Sequence, residues 1–253
     1  MFDIHCHLLP GLDDGPDSLE QSLLMAEAAI ADGITHVVCT PHCNSTFRFD
    51  YERVQQARQE LEGHLQGRLT LATGCDFHMS PENLAALKRD AAPFCINQHD
   101  CLLVEFSDFS IPPAMDQLLH EMQIAGLRPI VTHPERNSIL CKNPDRLCNW
   151  VRQGCRAQVS AGSLTGVFGP QAQRHAQEWI AQGLIHFVAS DAHNDRGRPL
   201  RLAPAREQVA RQFGEEIAQA LFQKNPRAAF EGRPLPYVPE VSEAPRRKRF
   251  FFF

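Results

Sequence analysis

The residues best suited to chemistry fall in six short groups, each closing an apolar run. They are Asp3-Ile4-His5-Cys6-His7, Thr40-Pro41-His42, Gly74-Cys75-Asp76, Val104-Glu105, Thr132-His133-Pro134-Glu135-Arg136 and Ser190-Asp191-Ala192-His193. Side chains alternate along a strand, so His5 and His7 share a face, as do Asp191 and His193. Two imidazoles spaced this way can grip one ion together. A lone His-x-His is more often a solvated or hydrogen-bonded pair, but six such groups in one chain point to a polynuclear metal site. His36, His64, His99 and His120 have no such company and stand outside it. Imidazole and carboxylate without thiolate suit Mn2+, Fe2+, Zn2+ or Mg2+. Two or three such ions can clamp a phosphate and lower the pKa of a bound water. Three divalent ions set against Asp14, Asp76, Glu105 and Asp191 leave about +2, a balance that favours an anionic substrate.

Groups so far apart in sequence meet only if the strands carrying them end in one place. Apolar runs at 2–5, 34–39, 69–73, 101–106, 129–132, 157–160 and 185–190 alternate with amphipathic stretches at 18–32, 51–65, 113–125, 144–153 and 171–182. Gly33, Gly126, Gly154 and Gly183 each follow a helical stretch, where a left-handed residue commonly ends a helix. The pattern predicts an α/β fold, a distorted (β/α)7 barrel over residues 1–231. Active sites of such barrels collect at the C-terminal strand ends. A doubly wound open sheet alternates in the same way, so periodicity alone does not separate the two.

Residues 232–253 read as an extended tail. The stretch to Pro245 is rich in Pro and Glu without apolar period, and the closing RRKRFFFF is expected to be a disordered end rather than a membrane or partner anchor. A length of 253 residues suits one large domain, and a net charge of −5 gives no general attraction to nucleic acid or anionic membrane. No apolar run reaches transmembrane length and no signal peptide opens the chain, so a cytoplasmic protein is expected, its oligomeric state left open. Nine scattered Cys form no CxxC pair, and no Gly-rich C-x5-R loop exists to cradle a phosphate, which sets thiol catalysis aside.

The stretches DIHCHLLPGLDDGP, TPH, VEF, THPER and SDAH resemble the PHP (polymerase and histidinol phosphatase) superfamily. LDDGP, THPER and SDAHN-x-x-G-R-P narrow the resemblance to bacterial metal-dependent tyrosine-protein phosphatases encoded with capsule and exopolysaccharide genes, from Met1 to about Phe230. The resemblance implies a barrel holding three metal ions, most often manganese. His5, His7, Asp76 and Asp191 would hold the first. Asp76 would bridge to a second, completed by Glu105 and His133. Asp14, His42 and His193 would hold the third. Asp76 stands where the family usually has Glu, keeping the charge on a side chain one methylene shorter. Arg136, three residues beyond His133, and Arg198, seven beyond Asp191, could fork onto phosphate oxygens; surface or structural salt bridges are the ordinary alternative. Asp13 and Glu135 are expected to orient their loops, and Gly11, Gly15 and Pro16 to turn the first loop so that Asp14 faces the ions.

The implied activity is hydrolysis of phosphotyrosine by a metal-activated hydroxide, and the implied partner a phosphotyrosine protein such as a tyrosine kinase of the polysaccharide operon. Rival readings are a small-molecule phosphatase such as one for histidinol phosphate, a phosphodiesterase, an amidohydrolase and a non-catalytic metal-binding scaffold. An amidohydrolase commonly needs a carboxylated Lys on a strand, and no strand run here contains Lys.

Overall fold

The computed structural model describes residues 1–242, and RRKRFFFF lies outside them. Among the described residues nine short strands form: β1 (Phe2–Cys6), β2 (His36–Cys39), β3 (His42–Cys43), β4 (Thr70–Thr73), β5 (Asp76–His78), β6 (Cys101–Glu105), β7 (Arg128–Thr132), β8 (Arg156–Ser160) and β9 (Phe187–Ala189). All pairings are parallel, in a three-stranded sheet β1-β2-β4 and a six-stranded sheet β3-β5-β6-β7-β8-β9.

The two sheets are one wall with a step in it. β2 and β3 form a single run interrupted at Thr40-Pro41, and β4 and β5 another interrupted at Gly74-Cys75. Pro41 has no N–H for the ladder, yet its carbonyl accepts from the Asp76 N–H at 3.2 Å, and Cys39 accepts from Gly74 at 3.0 Å. The last run meets the first: Asp191 donates to His5 and His7 donates to Ala192, both at 2.9 Å. Seven strand runs therefore close into the expected barrel, and the open sheet is ruled out.

The helices explain why the barrel can be buried on both faces. α1 (Leu19–Ala31) and α2 (Tyr51–Leu65) begin where Ser18 and Asp50 accept from backbone N–H groups of the first turn. α3 (Pro81–Arg89), α4 (Ala114–Ile124), α5 (Ser138–Lys142), α6 (Pro144–Arg152), α7 (Ala161–Leu164), α8 (Gly169–Ala181), α9 (Ala203–Phe213), α10 (Glu215–Gln219) and α11 (Asn225–Phe230) follow. Met25, Leu61, Met122, Trp150, Trp179 and Val209 of the helices pack with Val37, Leu102, Val104, Val131, Val159 and Val188 of the strands. Inside the barrel a smaller cluster gathers Ile4, Val38, Leu103, Ile130, Phe187 and Ala189 over Ala229.

Polar residues succeed these interior side chains two positions on: Leu103 gives way to Glu105, Ile130 to Thr132 and Ala189 to Asp191. The strand period thus stacks a polar layer on an apolar plug. In β1 the pairing slips: Asp3 faces Val37 while Cys6 faces Cys39, so β1 carries one extra residue there. This bulge lets Ile4 join the interior cluster while His5 stands in the polar layer. Buried Asp3 holds it, accepting from the N–H groups of His5 at 3.2 Å and Ser190 at 3.1 Å.

The described end of the chain, residues 233–242, forms no helix or strand but lies against the barrel base. Leu235 packs on the interior cluster, and Arg128 donates to the Arg233 carbonyl at 2.7 Å. Asn225, fully buried, clasps it: the side-chain oxygen accepts from Tyr237 N–H at 3.1 Å, and the amide donates to the carbonyls of Tyr237 at 2.8 Å and His186 at 3.0 Å. Asn225→Leu leaves these buried groups unpaired at nearly constant volume, so a loss of about 1–3 kcal/mol in unfolding free energy is expected. A urea titration checks it, and an unchanged midpoint would show that the clasp is idle.

Candidate metal centre

The strand ends bring nine expected ligands to one mouth. Two of them adopt left-handed backbone that a non-glycine residue avoids, His133 at φ 32° and Asp191 at φ 53°. Such conformations cost of the order of 1–3 kcal/mol each and persist where the surroundings enforce them. His133 directly follows β7 and Asp191 stands two residues past the end of β9, where the turn aims the side chain back over the barrel axis.

The donor atoms gather in overlapping groups. One atom each from His7, Asp14, His42 and His193 lies within 4.8 Å of the others, as do atoms of His5, His7 and Asp76, and of His42, Asp76 and Glu105. Asp14 Oδ1 is 3.4 Å from His42 Nε2 and 3.3 Å from His193 Nε2. Asp76 Oδ2 is the hub, 3.6 Å from His5 Nε2, 3.2 Å from His42 Nδ1 and 3.9 Å from His133 Nε2. His133 Nε2 is also 3.8 Å from Glu105 Oε1, and Asp191 Oδ1 is 3.5 and 3.6 Å from Nε2 of His5 and His7. The three sets that the resemblance implies are each brought together, with His7 and His42 reaching into a second set as well.

The fit to metal ions rests on atoms left unpaired. His5 Nε2, His7 Nε2, His42 Nδ1, His193 Nε2 and Asp76 Oδ2 are buried without a hydrogen-bond partner. An unpaired buried polar group costs about 1–3 kcal/mol, so a native site concentrates several of them only where something else is to be bound. The far nitrogens are engaged instead: His5 Nδ1 with Gln158 Oε1 at 2.9 Å, His7 Nδ1 with Asp13 Oδ2 at 2.6 Å and His193 Nδ1 with the Asp191 carbonyl at 3.1 Å. Such contacts fix each ring and leave Nε2 free to ligate.

Charge is finely divided. Burial pulls the His5 and His42 imidazoles down, but the carboxylates of Asp76 and Asp191 beside His5, and of Asp76, Glu105 and Asp14 beside His42, lift both to about 9. Burial dominates at His7 and, with the Arg136 charge, at His133, bringing each down to about 4. Glu105 rises to about 8 from burial and the Asp76 charge. Asp76 resists burial because His5, His133 and His42 hold it ionised, and Asp191 does so through Arg136, His5, His133 and Arg198.

Asp13 and Glu135 orient their loops, as expected. Asp13 also receives the N–H groups of Gly15 at 3.0 Å and His42 at 2.9 Å. Glu135, buried, accepts from Ser160 N–H at 3.0 Å and the Ser163 hydroxyl at 2.5 Å, tying the end of β7 to that of β8. Arg136 and Arg198 both reach Asp191 Oδ2, at 2.8 and 2.7 Å. The Arg198 loop is shaped by Asn194 Oδ1, which accepts from the N–H groups of Arg196, Gly197 and Arg198. Beside them a polar cavity of about 140 Å3 is lined by Glu105, Thr132, His133, Arg136 and Asn137.

Sequence reading passes over Gln158 and Phe168. Gln158 has a legible signal, a polar residue in the middle of strand β8, which is buried from Ala157 to Ser160. Phe168 has none: only the folded loops set its ring beneath Arg136 and Arg198. The cysteines are all unpaired and mostly buried, and burial pushes the Cys6 and Cys75 thiols up, away from reactivity.

Comparison with known proteins adds relatives. The family model described as "Capsular polysaccharide synthesis, CpsB/CapC" matches residues 1–231. Tyrosine-protein phosphatase YwqE of Bacillus subtilis (strain 168) is 34% identical over 228 residues, 87% of this chain and 88% of its own length. The putative tyrosine-protein phosphatase CapC of Staphylococcus aureus is 34% identical over 206 residues, 80% of each chain. A solved structure from work on YwqE of Bacillus subtilis and CpsB of Streptococcus pneumoniae, described as unique metal-dependent tyrosine phosphatases, superposes with a TM-score of 0.89 at 31% identity. It covers 96% of this chain and 100% of that one. Histidinol phosphate phosphatase of Lactococcus lactis, with a TM-score of 0.58 and 12% identity over 88% of this chain and 96% of that one, shares the fold.

Because His5 and His42 are held protonated near neutrality, ions that take their nitrogens must displace protons. Stripped protein titrated with Mn2+ at pH 7.5 in weak buffer is expected to bind more than one equivalent with net proton release, and the release should fade as pH passes about 9, where both rings lose their protons unaided. Elemental analysis and a pH indicator read both quantities. Full activity without bound metal would remove the basis of the centre.

Proposed function

Since the chain belongs to the CpsB/CapC capsular polysaccharide synthesis family, we propose that it is a metal-dependent tyrosine-protein phosphatase acting on phosphotyrosine in proteins. The observation that carries the reading is the convergence, at one barrel mouth, of unpaired imidazole and carboxylate atoms with two arginines that share a single carboxylate. Relatives named tyrosine-protein phosphatases match it over most of their length.

In this reading His5, His7, Asp76 and Asp191 hold one ion, Asp76, Glu105 and His133 a second, and Asp14, His42 and His193 a third. Oxygen and imidazole donors without thiolate suit Mn2+, Fe2+, Zn2+ or Mg2+, and manganese is the ion proposed here. Bound there, the ions supply positive charge for a phosphoryl group and acidify water enough to make a nucleophile at neutral pH. The protein's own residues do the rest. Arg136 and Arg198 each commit Nη2 to Asp191 and keep further N–H donors for the equatorial phosphoryl oxygens; Arg198 Nε is buried with no partner. Asp13 and Gln158 hold His7 and His5 in register, and Asp3 keeps the bulge that presents His5. A tyrosyl phenolate, with a pKa of about 10, leaves without a strong general acid.

The substrate proposed is a phosphotyrosine protein in the control of capsular or exopolysaccharide synthesis, in particular a bacterial tyrosine kinase of the same operon, and the proposed setting is the cytoplasm. Among the described residues no helix is long and apolar enough to cross a membrane. Turnover of a phosphotyrosine peptide, histidinol phosphate and a phosphodiester with Mn2+ tests the assignment. The peptide is expected to be hydrolysed with the highest kcat/KM, and preference for either of the others refutes it.

Replacing any single Cys with Ser should leave metal-dependent turnover largely intact; loss of the chemical step in one variant, with fold and metal retained, would reinstate a thiol nucleophile. Arg136→Ala should lower kcat/KM by a factor on the order of 10²–10³, as for removal of an oxyanion donor, at unchanged metal content. Arg136→Lys should recover part of this, since a point charge lacks the fork. His133→Ala should lose metal along with activity. Parental turnover by Arg136→Ala would confine that arginine to a structural role.

A further inference from the structure

Three loops that are distant in sequence place their side chains on one aromatic ring. Arg136 comes from the turn after β7, Arg198 from the loop after β9, and Phe168 from the connection between α7 and α8. The Arg136 guanidinium carbon lies 4.5 Å from the centre of the Phe168 ring, and that of Arg198 5.7 Å. On their other side both guanidiniums meet the same atom, Asp191 Oδ2, at 2.8 and 2.7 Å. Two cations this close repel, and one carboxylate oxygen offsets only part of that repulsion. The negative face of an aromatic ring is attracted to both.

Phe168 has no other evident task. It belongs to neither apolar cluster, although it is a large aromatic residue and only half-buried. Its ring is instead propped from behind. A Cβ on Gly162 would stand 2.8 Å from Phe168 Cε2, closer than real contacts allow, so glycine at 162 is what lets the ring lie where it does. The turn is closed by Val167 N–H to the Gly162 carbonyl at 2.8 Å and Gly169 N–H to Gly166 at 3.0 Å. A cavity of about 200 Å3, lined by Val167, Phe168, Arg198, Pro199 and Pro204 among others, adjoins the ring, so surrounding apolar packing does not by itself fix it.

We propose that Phe168 is a positioning residue for phosphate recognition, an aromatic floor that holds Arg136 and Arg198 as one preorganised pair against Asp191. The proposal rests on the phosphatase reading for its substrate, but the pair should bind free phosphate whatever ester the enzyme prefers. Without the ring the two arginines keep their charge and lose their common orientation, so a tetrahedral anion meets two mobile cations in place of a fixed clamp.

The test uses the metal-loaded full-length protein with inorganic phosphate as the probe, read by calorimetry and as competitive inhibition. Phe168→Leu keeps apolar volume and removes the π face. It should weaken phosphate binding by roughly 5–30-fold, the range expected for loss of partly desolvated cation–π contacts. It should lower kcat/KM for a phosphotyrosine peptide by a similar factor, leaving metal stoichiometry at the parental value. Phe168→Tyr should restore both. Gly162→Ala, which pushes the ring from behind without touching either arginine, should reproduce the loss. In an Arg136→Ala, Arg198→Ala background the Phe168→Leu effect should vanish, because its partners are gone. Parental phosphate affinity in both Phe168→Leu and Gly162→Ala overturns the proposal, as does equal loss in Phe168→Leu and Phe168→Tyr, or full additivity with the arginine substitutions. Should the parent ignore phosphotyrosine yet bind phosphate, the substrate assignment fails while the role of Phe168 is still decided by the phosphate measurements.

Discussion

The carboxylate of Asp191 joins everything in this protein that must be held together. One oxygen faces the Nε2 atoms of His5 and His7, and the other receives Arg136 and Arg198. Its backbone N–H, from a left-handed conformation, donates to the His5 carbonyl and so helps close the barrel. Wall, candidate metal ligands and the two arginines proposed to receive phosphate therefore meet in one residue. A carboxylate fully out of water needs cations around it, and Arg136, His5 and Arg198 surround this one. Glutamate at the same place would carry its charge one methylene further and could not satisfy both sides at once.

Around that joint the fold separates two jobs by depth. The lower interior is an apolar plug, and one strand period above it the same strands present carboxylates and imidazoles. The steps at Thr40-Pro41 and Gly74-Cys75 serve the upper layer, since His42 and Asp76 are the first residues after each interruption. The bulge in β1 serves both layers, giving Ile4 to the plug and His5 to the site. Four of the nine donors, His5, His42, Asp76 and Glu105, lie on strands, and His7, His133, Asp191 and His193 follow strand ends within four residues, which gives a cluster of close ions the rigid support it demands.

Much of this was legible in the chain. The strand-end groups could be read because ligand chemistry needs particular side chains and strand geometry repeats every second residue. Helices α1, α2, α4, α6 and α8 emerge within a residue or two of their apolar period. Helix α9 escaped because it buries little beyond Ala205 and Val209, leaving almost no stripe to detect. The open-sheet alternative fell only to hydrogen bonds between the first strand and the last, a fact of closure that no local pattern encodes. Phe168 was invisible for a related reason: its meaning lies in which loops become neighbours, and an isolated phenylalanine between glycines reads as an ordinary turn.

The clasp between the two ends of the barrel wall bears on how the protein comes into being. Ser190 bonds to Asp3 across 187 positions of chain, and the arginine partner at 198 comes later still. A ribosome emits the first imidazoles early and the carboxylate that unites them late, at about 5–20 residues per second. For most of synthesis the nascent chain therefore offers ions only scattered, competing donors. Contacts of such long sequence separation also form slowly, because the loop entropy must be surrendered before they reward it. Catalytic competence thus arrives in one late event, because a chain cut short before its final barrel strand lacks Asp191, His193 and Arg198 and leaves two of the three ligand sets incomplete.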